Sequence, residues 1–366
     1  MNRLRLHVLG GTLAALLCPG MPAVRPLWAQ AITPVETPDI GRRQVVPFLE
    51  GTKVFVNVPR ASIRFEADIQ PHLVVSQNFS DKLVIEETLT SEGESGRWRV
   101  AYSVVGTPRV RLRMLDERSA PVRTPSYMPK GTLMMMFFRG ERTEPRHRVG
   151  IWSPELTVGH HSNGQDGCLF ATDTMLDGDC VGQEDLAQIN RLDGSFSTNY
   201  VRVGGRYRRE WLRTINAGQP DEEHIGSTHW TVGAFADLHF NTAGRLEPFY
   251  GTKRFHGYFG IGRQLSKVCR SRAAASATVF YVGQKPDGVP PLAYQVDGLC
   301  TFTPRGGWGL FARYFDGQDY YNLAFGQRIQ RLQVGIQYDQ DGFLRFITAQ
   351  AKRSLDQRRQ KAEQRP

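Results

Sequence analysis

The chain has 366 residues, with 46 lysines and arginines against 36 acids and a net charge of +10, and its mean hydropathy is −0.39. That length can bury a sizeable core, and beyond the N-terminus no apolar run is long enough for a membrane helix, which excludes a helical membrane protein. A transmembrane β-barrel has the same average, because its strands alternate lipid-facing apolar with lumen-facing polar residues.

In chain order, Met1-Asn2-Arg3-Leu4-Arg5 is followed by an apolar stretch from Leu6 to Cys18 and then by Ala29-Gln30-Ala31. This is the form of a signal peptide over residues 1–31. Leu17, before Cys18, is not the small residue a lipoprotein signal requires. Export argues against nucleic acid as a partner, and the basic excess points to anionic lipid head groups or lipopolysaccharide phosphates. Residues 32–50, with Pro34, Pro38 and Pro47, form an N-terminal periplasmic segment expected to be loose. Strand-like runs follow at 53–68, 72–87, 97–106, 109–115, 131–139, 149–162, 199–211, 229–241, 256–267, 275–283, 293–303, 308–315 and 331–338. A basic tail over 339–366 closes the chain, either an amphipathic helix or disordered.

Trp230, Val232, Ala234, Ala236, Leu238 and Phe240 alternate with Thr231, Gly233, Phe235, Asp237, His239 and Asn241, and Leu332, Val334, Ile336 and Tyr338 alternate with Gln333, Gly335 and Gln337. An all-β transmembrane antiparallel barrel over 51–338 satisfies this pattern. A soluble β-sandwich shares it on periodicity alone.

The run ending in Gly159-His160-His161-Ser162-Asn163-Gly164 carries the chemistry. At a period of two, Ser162, His160, Val158 and Leu156 share one face, while His161, Gly159, Thr157 and Glu155 share the other. A histidine two residues from a serine can act as its general base, and this pair continues an apolar stripe, which points to chemistry on lipid. The adjacent histidines face opposite sides and cannot share one zinc ion without distortion. Four cysteines lie beyond the signal, an even number in an oxidising compartment. Cys168 and Cys180 occupy one loop and are expected to pair, and Cys269 and Cys300 fall on one side of the membrane.

Gly159-His160-His161-Ser162-Asn163-Gly164 resembles the His-x-Ser-Asn-Gly motif of the outer-membrane phospholipase A family. Further landmarks follow the family's order: Ser119-Ala120-Pro121-Val122-Arg123, then Ser195-Phe196-Ser197-Thr198-Asn199, then Tyr314-Phe315-Asp316-Gly317 with Gln330-Arg331-Leu332-Gln333-Val334-Gly335. The resemblance spans roughly residues 100–338. It implies about twelve strands in a bacterial outer membrane and calcium-dependent hydrolysis of phospholipid acyl esters. Ser162 would be the nucleophile, His160 the base and Asn199 the group that orients the imidazole. The backbone amides of Ser162 and Gly164 would form the oxyanion site. The Gln165 carbonyl, the Ser195 hydroxyl and, from a second subunit, the Ser119 hydroxyl would hold Ca2+, so that the active form is a homodimer.

Two features depart from the family pattern. The loop between Gly164 and Asn199 is longer and carries Asp166, Asp173, Asp177, Asp179, Glu184 and Asp185, expected to be solvated, and His161 stands where an uncharged polar residue is expected. Two competing classes remain: a catalytically silent outer-membrane barrel, porin or structural, and a soluble periplasmic esterase or lectin-like sandwich.

Overall fold

Alternating strands of this kind leave two faces to satisfy, and the chain satisfies them by closing on itself. The computed structural model describes residues 48–58, 63–78, 98–115, 122–143, 146–177, 179–182, 188–215, 223–242, 246–263, 272–283, 291–302, 308–319, 321, 323 and 325–338. Twelve staves build the wall. They are β1 (Thr52–Val58), β2 (Ile63–Ile69, continued by Leu73–Asn78), β3 (Arg99–Thr107, continued by Val110–Leu115) and β4 (Val122–Tyr127, continued by Lys130–Thr143). Next come β5 (Arg146–Ser162), β6 (Ser197–Ile215), β7 (Glu223–Phe240), β8 (Lys253–Arg263), β9 (Arg272–Gly283), β10 (Leu292–Thr301), β11 (Trp308–Gln318) and β12 (Arg328–Tyr338). Each pairs antiparallel with its chain neighbours, and β1 pairs with β12 from Thr52↔Tyr338 to Val58↔Leu332, which closes the barrel. Closure gives every stave a hydrogen-bonded neighbour on each side.

The outward face is apolar in a continuous belt. Val54, Val56, Leu156, Val158, Phe255, Phe259, Leu332, Val334 and Ile336 are all exposed there. The inward face is charged. Glu66, fully buried, accepts from Arg111, Arg113, Arg331 and Gln333, and Asp319 pairs with Arg113. Asp237 takes Arg202 in a bidentate pair and His256 at 2.8 Å. A soluble sandwich would have the reverse arrangement. The protein is therefore a transmembrane β-barrel of the outer-membrane kind; no described helix is long and apolar enough to cross a membrane.

Several expectations need adjusting. The run expected at 53–68 is a hairpin of β1 and β2, and those at 97–106 and 109–115 are one stave, so twelve staves replace thirteen runs. Polar-in alternation fails in Leu133-Met134-Met135-Met136-Phe137-Phe138, where Met134, Met136 and Phe138 face inward and join Val105, Val149, Ile151 and Phe48 in a lumenal apolar cluster. Phe48 belongs to the segment expected to be loose, yet it is buried in that cluster and its carbonyl accepts from Arg206 at 2.6 Å. The signal peptide, residues 32–47 and the basic tail lie outside the described residues.

Proline sets the interruptions in β2, β3 and β4. Lacking an N–H, it removes one bond from the ladder. The flanking pairs Ile69↔Val110 and Leu73↔Gly106 set Pro71 opposite Pro108, and Val110↔Tyr127 and Thr107↔Lys130 set Pro108 opposite Pro129. The row ends on the next stave, where the His160 amide donates to the Pro129 carbonyl at 2.9 Å.

Candidate active site

β5 reaches its last residue, Ser162, between two neighbours. Tyr127 of β4 lies opposite Ser162 on one side, and Ser197 and Asn199 of β6 lie opposite Ser162 and His160 on the other. The parity read from the sequence holds: Glu155, Thr157 and His161 are buried inward, while Leu156 and Val158 are exposed outward and lead to the half-buried His160 and Ser162. Asn199 shares the outward face with Val201 and Val203, beside His160.

His160 Nδ1 lies 2.8 Å from Asn199 Oδ1. A carboxamide oxygen only accepts, so this contact places the ring proton on Nδ1 and leaves Nε2 free to take a proton. Ser162 stands one pleat further along the same face. Among the described residues no hydrogen bond joins its hydroxyl to the His160 ring.

The chain then turns at Asn163, which is 2% exposed. Its amide nitrogen donates to the Gly194 carbonyl at 2.6 Å, its side-chain oxygen accepts from the Phe196 N–H at 2.9 Å, and its own N–H donates to the Phe196 carbonyl at 3.2 Å. These bonds tie the exit of β5 to the entry of β6. Gly164 follows with φ +67°, a left-handed conformation that glycine adopts without strain, and a Cβ there would lie 3.2 Å from the Tyr127 ring.

Beyond the turn, Gly167 N–H donates to the Asp193 carbonyl at 3.1 Å and Ser195 N–H to the Gly167 carbonyl at 2.7 Å, so the segments carrying Gln165 and Ser195 run side by side. Their carbonyl and hydroxyl are hard, neutral oxygen donors of the type calcium takes, and in that chemistry they fit the ion. Ser119 lies outside the described residues. No cluster of three or more His, Cys, Asp or Glu side chains suited to a metal occurs among the described residues. Asp177 and Asp179 are exposed, and the Asp193 carboxylate accepts from Asn190.

The longer loop packs into a core shared with neighbouring segments. Cys168 and Cys180 form a disulfide with Cα atoms 5.5 Å apart, which encloses part of a short hairpin of Thr174–Leu176 with Asp179–Val181. Cys300 is also disulfide-bonded, and Cys269 lies outside the described residues. Leu169, Phe170 and Phe196 pack with Leu246, Tyr250, Leu323 and Phe325.

His161 points into this cluster. Its Nδ1 lies 2.8 Å from the Tyr250 hydroxyl, and its ring meets Phe196 edge-on at 4.9 Å. Tyr250 ends the single-turn helix α1 (Glu247–Tyr250) in the loop between β7 and β8. Burial pushes its phenol up to about 12, so the hydroxyl stays neutral. The supporting roles of Asn163 and Tyr250 are absent from the sequence reading. Asn163 lies inside the motif and could have been found there, whereas nothing local marks Tyr250.

No family model and no curated protein matches the chain. Among solved structures it is similar to outer membrane phospholipase A from Escherichia coli, with 14% identity, a TM-score of 0.40 and coverage of 79% of this chain and 90% of that one. A Salmonella typhi outer membrane phospholipase dimer with bound calcium gives 14% identity, a TM-score of 0.40 and coverage of 82% and 98%. A variant porin from Rh. blastica gives 8%, 0.25, 79% and 96%.

Proposed function

We propose that the barrel is a calcium-dependent phospholipase A acting on membrane phospholipids from its lipid-facing surface, as a homodimer. The observation that carries this reading is the His160–Asn199 hydrogen bond on the same outward face as Ser162. In the proposed reaction Ser162 Oγ attacks the acyl carbonyl while His160 Nε2 takes its proton. His160 then returns that proton to the departing glycerol oxygen. A water, activated by the same base, releases the fatty acid from Ser162 and restores the hydroxyl. The backbone amides of Ser162 and Gly164 donate to the oxyanion. Calcium, when bound by Gln165, Ser195 and Ser119 of a second subunit, supplies further positive charge to that oxyanion. Asn199 fixes the imidazole without a charge, so it stabilises the imidazolium less than a carboxylate would.

The test is acyl hydrolysis of phospholipid in mixed detergent micelles by the purified chain, with calcium and with EDTA, beside Ser162→Ala. Hydrolysis that needs calcium and disappears in the variant supports the reading. A folded wild-type barrel that hydrolyses nothing leaves the silent barrel in its place.

A further inference from the structure

We propose that the barrel lumen holds a binding site for a small oxyanion, with Lys53 and Lys130 as its donors. A cavity of about 310 Å³ lies inside the wall. Ten arginines and lysines line it, against the four carboxylates Glu50, Asp237, Asp297 and Asp319. Most of the arginines have acids of their own: Arg202 pairs with Asp237, Arg313 with Asp297, Arg109 with Asp68 and Arg206 with Glu155.

The lysines differ. Among the described residues neither Lys53 nor Lys130 has a carboxylate within ion-pairing distance. Lys53 is 6% exposed, with its ammonium 5.1 Å from the centre of the Phe311 ring. Both lysines act on Glu50. Lys53, Arg109 and Lys130 hold its carboxyl well below the usual carboxylate range. Asp297 and Asp68 also attract Lys53, but they are already paired with Arg313 and Arg109, so the cavity stays positive.

A buried ammonium without a counter-charge is costly, and an anion in the cavity offsets that cost. Lysine is a compact point charge with three donors, suited to phosphate-like oxygens. A metal cation meets repulsion here, and a neutral solute leaves the ammonium groups uncompensated.

The test is isothermal titration of inorganic phosphate into the detergent-solubilised full chain at constant ionic strength in chloride. A single saturable site is expected. Lys53→Gln and Lys130→Gln should each weaken it about tenfold or more, the loss of one charge-assisted hydrogen bond, while Lys53→Arg retains it. Phosphate should raise the melting temperature of the wild type more than that of either Gln variant. Independently of any variant, sulfate should compete for the site and glycerol should not. Absence of saturable binding, equal affinity in wild type and both Gln variants, or failure of sulfate to compete would each overturn the proposal.

Discussion

His160 and His161 are chain neighbours that serve opposite sides of the barrel wall, the first bonded to Asn199 on the lipid side and the second to Tyr250 on the lumen side. In the proposed mechanism only His160 moves a proton. His160→Ala should lower hydrolysis on the order of 10⁴-fold, as should Ser162→Ala, because base and nucleophile act as one unit. His161→Gln can still bond Tyr250 but loses the edge-on contact with Phe196, so turnover should survive with a stability loss of about 1 kcal/mol. Thermal melting and micelle assays on the same preparations separate the two outcomes. A loss in His161→Gln equal to that in His160→Ala would show that the wrong histidine had been assigned.

Asn199 offers a test through pH. Asn199→Ala removes the acceptor for the imidazole proton, and misorientation should cost about 10²-fold. Asn199→Asp keeps the acceptor and adds a negative charge beside the ring, which favours the imidazolium. Since the base works unprotonated, the acidic limb of the pH–rate profile should move to higher pH. A profile that stays in place would mean that residue 199 does not sense the base.

Asn163 links site geometry to stability. Asn163→Ala leaves the Gly194 carbonyl and Phe196 N–H without their side-chain partner, a loss of about 1–3 kcal/mol. Because these bonds hold the segment containing Ser195, the variant should also need more calcium for half-maximal hydrolysis. A calcium titration beside a melting curve checks both effects. Destabilisation with an unchanged calcium requirement would detach Ser195 from the proposed metal site.

The Cys168–Cys180 bridge closes a loop of about a dozen residues, for which chain-entropy estimates give about 3 kcal/mol. Non-reducing peptide mapping should recover the linked peptides. Cys180→Ser should speed proteolysis at 174–181 while leaving the barrel's melting transition in place.

Shared metal ligands would couple calcium to association. By linkage, an ion that draws on Ser119 of a second subunit binds the dimer more tightly and shifts monomer to dimer. Sedimentation in detergent with calcium or EDTA should show that shift in the wild type and a weaker one in Ser119→Ala. Full hydrolysis by a protein that stays monomeric would remove the second subunit from the mechanism.

Much of this arrangement was legible in the residues. A period of two put Ser162, His160 and Asn199 on the outward side, because a strand in a closed barrel cannot slip by one residue without turning its apolar face inward. The lumen was not legible. Glu66 draws Arg111, Arg113, Arg331 and Gln333 from separate parts of the chain, and no local pattern records that convergence. The first half of β4, Val122–Tyr127, has no counterpart among the expected runs, because Pro125 weakens the strand signal there. Tyr250 approaches His161 through a loop, where periodicity has nothing to say.

The row Pro71, Pro108 and Pro129 has a mechanical meaning. Three adjacent staves lack an amide donor at one level, so the wall there is held by the rungs above and below it. Such a line is a hinge, along which the sheet can fold with fewer bonds to stretch than elsewhere. Its end is fixed at His160, whose own amide bonds Pro129. Bending of the barrel under lateral pressure from the bilayer would therefore concentrate beside His160, reshaping the lipid-facing surface next to it while its contact with Asn199, on the far side of β5, stays in place.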